Sequence, residues 1–213
     1  MEKELNLFGV KSEIKVKSRK SHFKKIRPVI EEWLKLNRDY IELAESVDNL
    51  YWYNERSTVS TLAGAVWRCG GFAQEEYSAE KGEGNKNRTG RVDLYFHFNG
   101  VNVVCEAKQL FIYLPKNNQK DIKKYLEDSL KEASNDLHDT TALSDYHHFG
   151  IALSFIVPYK QPSEDIKNTK KELVNALDAL DCSFYASFEF LGESMIGASG
   201  HEYNEVILVG KIT

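Results

Sequence analysis

The alternation of apolar and polar positions is most regular across residues 91–108. Val92, Leu94, Phe96 and Phe98 alternate with polar neighbours, and Val101, Val103, Cys105 and Ala107 follow after Asn99-Gly100. Asn-Gly between two strand-like runs predicts a two-residue hairpin turn, because both turn positions need positive φ. Such a turn sets Phe98 opposite Val101. Counting outward sets Asp93 opposite Glu106 and Arg91 opposite Lys108. Side chains alternate between faces, so the eight apolar residues, from Val92 to Ala107, share one face. Asp93, Tyr95, His97, Asn102, Val104, Glu106 and Lys108 share the other. A one-residue slip would bury the charges, which fixes the register.

Helical spacing appears on either side of the hairpin. Ile30, Trp33, Leu34, Tyr40 and Ile41 predict a helix over 28–46, opened by Pro28, whose missing N–H costs nothing in a first turn. A second helix is expected over 53–68, with Val59, Leu62, Ala63, Val66 and Trp67 on one face and Glu55 at the head of that stripe. Gly70-Gly71 ends it. Residues 72–77 read as a strand, and 78–90 as a polar, glycine-rich loop that does not pack. After 109–115, a helix over 120–138 buries Ile122, Leu126, Leu130, Ala133 and Leu137. The apolar run 149–157 predicts a central strand covered on both faces, ended by Pro158. A helix opening near Ser163, Glu164 and Asp165 carries Leu173, Ala176, Leu177 and Leu180. Strands follow at 183–191 and 205–212. The order α, α, β, β, β, α, β, α, β, β predicts an α/β fold with helices on both faces of a mixed sheet.

Charge adds a second division. The chain of 213 residues has a net charge of −4, but residues 1–27 hold nine Lys or Arg against three Glu, so the remainder stands at −10. Lys15, Lys17, Arg19, Lys20, Lys24 and Lys25 make this segment a candidate contact for a phosphate backbone. A solubilising terminus is the alternative. Lys81, Lys86 and Arg88 in the 78–90 loop could also approach phosphates. The expected division is a basic arm and helix over 1–48 and an α/β domain over 49–213. Three widely spaced cysteines form no metal pattern and point to a reducing cytoplasm. No run is apolar enough to span a membrane, and Met1-Glu2-Lys3-Glu4 opens no signal peptide.

The charged hairpin face calls for an explanation. Opposed like charges on neighbouring strands are destabilising. Mg²⁺ would relieve Asp93 against Glu106, since it takes one or two carboxylates with water and phosphate oxygens. A solvated face balanced by Arg91 and Lys108 is the alternative. His147-His148 does not suggest a zinc site, because neighbours on a strand point to opposite faces.

A helix with an acid, then a hairpin with Asp on one strand and Glu-x-Lys on the next, resembles the PD-(D/E)xK phosphodiesterase superfamily. The residues concerned are Glu55, Asp93 and Glu106-Ala107-Lys108, within an αβββαβ order covering about 50–160. Val92 stands where the motif's name has Pro, Gln109 follows the Lys, and no Gln-x-x-x-Tyr follows. The resemblance implies a restriction-endonuclease-like mixed β-sheet core flanked by helices, with an N-terminal helical extension and extra C-terminal strands. It implies Mg²⁺ or Mn²⁺ held by Asp93, Glu106 and the Ala107 carbonyl, with Glu55 completing the site. Lys108 would orient the attacking water, and Gln109 would contact water or phosphate. The expected function is a metal-dependent nuclease, with DNA as the first substrate, working as a homodimer or within a larger complex. A catalytically silent nuclease-like subunit of a defence or repair complex is the competing reading. A third is an unrelated α/β domain, in which Asp93 and Glu106 point apart and Glu55 is distant.

Overall fold

The computed structural model describes residues 9–82, 88–140, 148–192 and 194–213. It is a mixed α/β structure with a seven-stranded sheet and four α-helices among these residues. The elements are β1 (Val10–Val16), α1 (Lys20–Leu43), α2 (Glu55–Arg68), β2 (Phe72–Lys81), β3 (Arg88–Phe98) and β4 (Val101–Tyr113). Then come α3 (Gln119–His138), β5 (His148–Tyr159), α4 (Lys167–Ala179), β6 (Phe184–Phe190) and β7 (Glu205–Ile212). The strand order is β1-β6-β7-β5-β4-β3-β2. Among the described strands only β4 and β5 pair in parallel, with α3 as their crossover. No described helix is long and apolar enough to cross a membrane.

Two apolar layers hold the sheet. Phe23, Ile26, Trp33 and Leu62 from α1 and α2 pack with Leu94, Cys105, Phe155 and Phe188 on one face. Leu126, Leu130, Leu173 and Leu177 from α3 and α4 pack with Val104, Ile156 and Val209 on the other. The central strand β5 is buried on both sides, as a continuous apolar run requires.

Four local expectations change. The segment before α1 forms the edge strand β1, paired with β6 from Val10↔Phe190 to Val16↔Phe184. Residues 1–8 apart, the basic segment therefore belongs to the same sheet and core as the rest. Helix α1 begins at Lys20, so Pro28 lies inside it. Burying Phe23 and Ile26, 2% and 1% exposed, offsets the roughly 3 kcal/mol of an interior proline. Strands β2 and β3 run into the expected 78–90 loop, pairing out to Lys81↔Arg88. Finally, Pro158 does not end β5, which continues to Tyr159↔Tyr113.

The hairpin turn forms as expected, with Asn99 at φ 50° and Gly100 at φ 71°. Its two-faced pattern does not persist. Leu94 and Phe96 pack toward α1 and α2, whereas Val92 packs toward α3. The partner strand changes face at the same level: Ala73 packs on the first side, Tyr77 and Ala79 on the second, with Glu76 between them at φ 51°. A left-handed residue breaks the pleat, so the two-residue alternation restarts in the opposite phase.

Candidate active site

That change of phase opens the middle of the sheet. The β3–β4 ladder runs from Phe98↔Val101 only to Leu94↔Cys105, while β4 continues beside β5 to Tyr113. Beyond Cys105, β4 amides on the β3 side lose their strand partner. Two carboxylates take the place of the missing strand. Asp93 Oδ2 accepts from Ala107 N–H at 2.8 Å, and Glu55 Oε2 accepts from Gln109 N–H at 3.0 Å. The Asp93–Glu106 and Arg91–Lys108 oppositions expected from a continued register do not form. Arg91 instead pairs with Ser78 and bonds Glu76 at 2.7 Å.

Glu55 reaches the split from the first turn of α2. Asn54 caps this helix, its side chain accepting from Ser57 N–H at 3.0 Å, so the helix start is fixed. Burial raises the Glu55 carboxyl above its ordinary range, Lys108 opposes this, and the Asp93 charge adds to the rise. Glu55, Arg56, Val59, Glu75, Glu76 and Asp93 line a cavity of about 20 Å³.

Glu106 faces the opposite way, toward the end of α3. It is 2% exposed, and its Oε1 accepts from Lys81 Nζ at 2.7 Å and Thr140 Oγ1 at 3.0 Å. Burial pushes its carboxyl up to about 7, the Lys81 bond pulls it down, and the Asp93 charge pushes it up again. Asp93 and Glu106 thus act on each other electrostatically without projecting from one flat face. Asp93 Oδ1 and Glu106 Oε2 have no protein hydrogen-bond partner among the described residues.

Lys108 shares the Glu106 side and lies 2.6 Å from Asp136 of α3. Burial lowers its ammonium, but Asp136, Glu55 and Asp93 together leave it raised, so it stays charged. Gln109 turns toward α2: its Nε2 donates to the Tyr51 carbonyl at 2.7 Å. Its side chain therefore anchors the segment before α2 and is committed there.

The structure brings Glu55, Asp93, Glu106 and Lys108 together and leaves the basic segment elsewhere. Lys15 bonds Asp178 at 2.6 Å, and Lys17 donates to the Leu177, Asp178 and Leu180 carbonyls at the end of α4. These are helix C-terminal contacts of the kind lysine favours. They sit at the β1 edge, four strand steps or ~19 Å from β4. Arg19, Lys20, Lys24 and Lys25 are exposed at the start of α1. Arg88 is 3.8 Å from Asp139, and Lys86 lies outside the described residues, as does His147.

Lys81, Thr140 and Asp136 complete the surroundings of the site without having been singled out for it. Lys81 was legible only as a loop cation. Asp136 and Thr140 lie at the α3 terminus, and no short-range spacing links them to Glu106. Among the described residues no group of three or more His, Cys, Asp or Glu side chains could hold a metal ion as they stand. No protein-family model matches the chain, and no curated protein matches it.

Proposed function

We propose that this protein is a divalent-metal-dependent nuclease with a restriction-endonuclease-like core, hydrolysing phosphodiester bonds of DNA at the β3–β4 split. The observation that carries the reading is the pair of carboxylates, Asp93 and Glu55, bound to successive free amides of β4 in the middle of a sheet. Glu106 and Lys108 stand beside them. Burial and the Asp93 charge push the neighbouring carboxyl of Glu106 up, toward protonation. Such a site gains from a cation.

The donor set fits Mg²⁺ or Mn²⁺. Asp93 Oδ1 and the Ala107 carbonyl would hold it, with Glu106 Oε2 joining once that side chain turns from Lys81, and hard cations of this type accept such an oxygen set completed by water and phosphate. Once bound, the ion neutralises phosphate charge and lowers the pKa of a water. Glu55 holds Gln109 N–H and so fixes how α2 sits over the split. Lys108, kept charged by Asp136, supplies a cation for the oxygen that gains charge during attack.

The Lys81–Glu106 ion pair favours a second reading. Lys81 already neutralises Glu106, as a nuclease-like module that binds without cutting would need. Incubation with labelled single-stranded and duplex DNA, with Mg²⁺ or Mn²⁺, separates the two. Cleavage that disappears in Asp93→Ala supports the nuclease. No cleavage of any substrate, with no heat of Mg²⁺ or Mn²⁺ binding by titration calorimetry, establishes the silent module.

A further inference from the structure

We infer that a strip of aromatic side chains leading away from the split binds unpaired bases of single-stranded nucleic acid. Its placement rests on the nuclease reading. The strip starts beside the site on two elements at once. Tyr53 lies two residues before Glu55, and Phe111 lies two residues after Gln109 on the same face of β4. The Gln109 bond to the Tyr51 carbonyl ties the two starts together.

From there the rings continue in contact. Trp52 meets Tyr53 at 6.1 Å and Tyr203 at 6.0 Å, both edge to face. Phe111 meets Tyr203 at 6.2 Å, Tyr159 stacks on Tyr203 at 5.6 Å, and Tyr113 meets Tyr159 at 5.3 Å. Tyr53 is 55% exposed and Phe111 40%, so the end nearest the site offers open ring surface. The rings are held in place at their rims. Tyr53 donates to Asp48 at 2.8 Å, Tyr113 donates to Glu164, and Tyr203 shares a 3.0 Å bond with Ser199. Held rings bind a flat partner with little entropy left to lose.

Charge selects the occupant. Duplex binding draws on a basic surface that neutralises phosphates. Outside residues 1–27 this chain carries −10, and Lys15 and Lys17 lie across the sheet in contacts with α4. A ligand held near the split must gain its affinity by another route. Stacking of bases supplies it, at roughly five- to hundredfold in affinity per base, with little dependence on sequence. Lys116 Nζ, 5.6 Å from the Tyr113 ring, puts one cation at the far end of the strip for a phosphate.

The test is fluorescence anisotropy of the full chain with labelled single-stranded DNA or RNA, a duplex of equal length and an abasic strand, all in EDTA. Single strands of at least one sugar type should bind at least tenfold more tightly than duplex, and the abasic strand should lose roughly tenfold or more. Phe111→Ala and Tyr53→Ala, at exposed rings, should each weaken base-bearing strands about fivefold or more and leave the abasic strand unchanged. A thermal melt confirms that both variants fold. Equal affinity for the abasic strand, unchanged binding in both variants, or no binding of any strand overturns the inference. Because EDTA prevents metal-dependent cleavage, the two readings fail separately. Base-dependent binding by a protein that cuts nothing keeps the strip and ends the nuclease reading. Cleavage with variants that bind normally does the reverse.

Discussion

Two groups of charged side chains are built into the sheet, and they are satisfied differently. Around the ends of β5, β6 and β7, Lys170 bonds Glu189 and lies 3.3 Å from Glu205, while Lys160 lies 2.7 Å from Glu202. Every carboxylate there meets an ammonium group. At the β3–β4 split, Glu55 and Asp93 meet backbone amides instead, and only Glu106 and Asp136 meet lysines. Three acids face two lysines in the first group and four face two in the second. Burial and the Glu189 charge raise the Glu205 carboxyl, and Lys170 opposes this, so the group is close to balanced internally. The split is under-neutralised, and its missing charge must come from outside. Buried charge alone does not mark a site; the distinction is whether the protein supplies the counter-charge.

The largest effect that sharpens this contrast is on activity. Asp93→Ala and Lys108→Ala should each lower DNA cleavage by about 10²–10⁴-fold, read on a denaturing gel. A rate within tenfold of the original protein would move the site elsewhere. Next, Lys170→Met should cost about 1–3 kcal/mol in urea unfolding, because it leaves two part-buried carboxylates without their ammonium partner, and it should leave Mg²⁺ binding unchanged. A smaller loss would mean that water already balances that group.

The pH dependence of stability follows in size. The Glu106 carboxyl titrates near 7 when folded against an ordinary 4.5, so the folded state holds an extra proton between these values. That stabilisation is complete below about pH 4.5 and is lost as pH rises through 7, by about 3 kcal/mol at most. Mg²⁺ requires the charged carboxylate and should flatten this fall, which urea titrations at pH 5, 6.5 and 8 with and without the ion would measure. Stability that rises over this range would show that Lys81 dominates burial. The smallest effect concerns Lys15→Ala. Its exposed pair with Asp178 should be worth under about 1 kcal/mol, and nucleic-acid affinity should not change. A fall in affinity would return the basic segment to the binding surface.

Much of the architecture was legible because it depends on short-range periodicity. The Asn99-Gly100 turn, the stripe of α3 and the double burial of β5 each follow from local spacing. Strand β1 is hard to read in the sequence because its alternation, with Val10, Ser12, Ile14 and Val16 on one side, is obscured by lysines that pair only in the folded state. The run 78–81 reads as loop in the sequence because three of its four residues are polar and a glycine-rich stretch follows. They form strand because β3 offers a partner there.

The sequence by itself determined the hairpin, the helical stripes and the candidate residues Glu55, Asp93, Glu106 and Lys108. Only the tertiary structure decided how they are used. A single left-handed residue at Glu76 coincides with a reversal of the faces of β2 and β3, sending Val92 toward α3 and leaving Asp93 with α2. The reason is physical: alternation along a strand is a local rule, and one break in the pleat inverts everything counted beyond it. Which amides that break frees, and which carboxylates reach them, depends on elements more than 50 residues apart, such as Glu55 and Gln109.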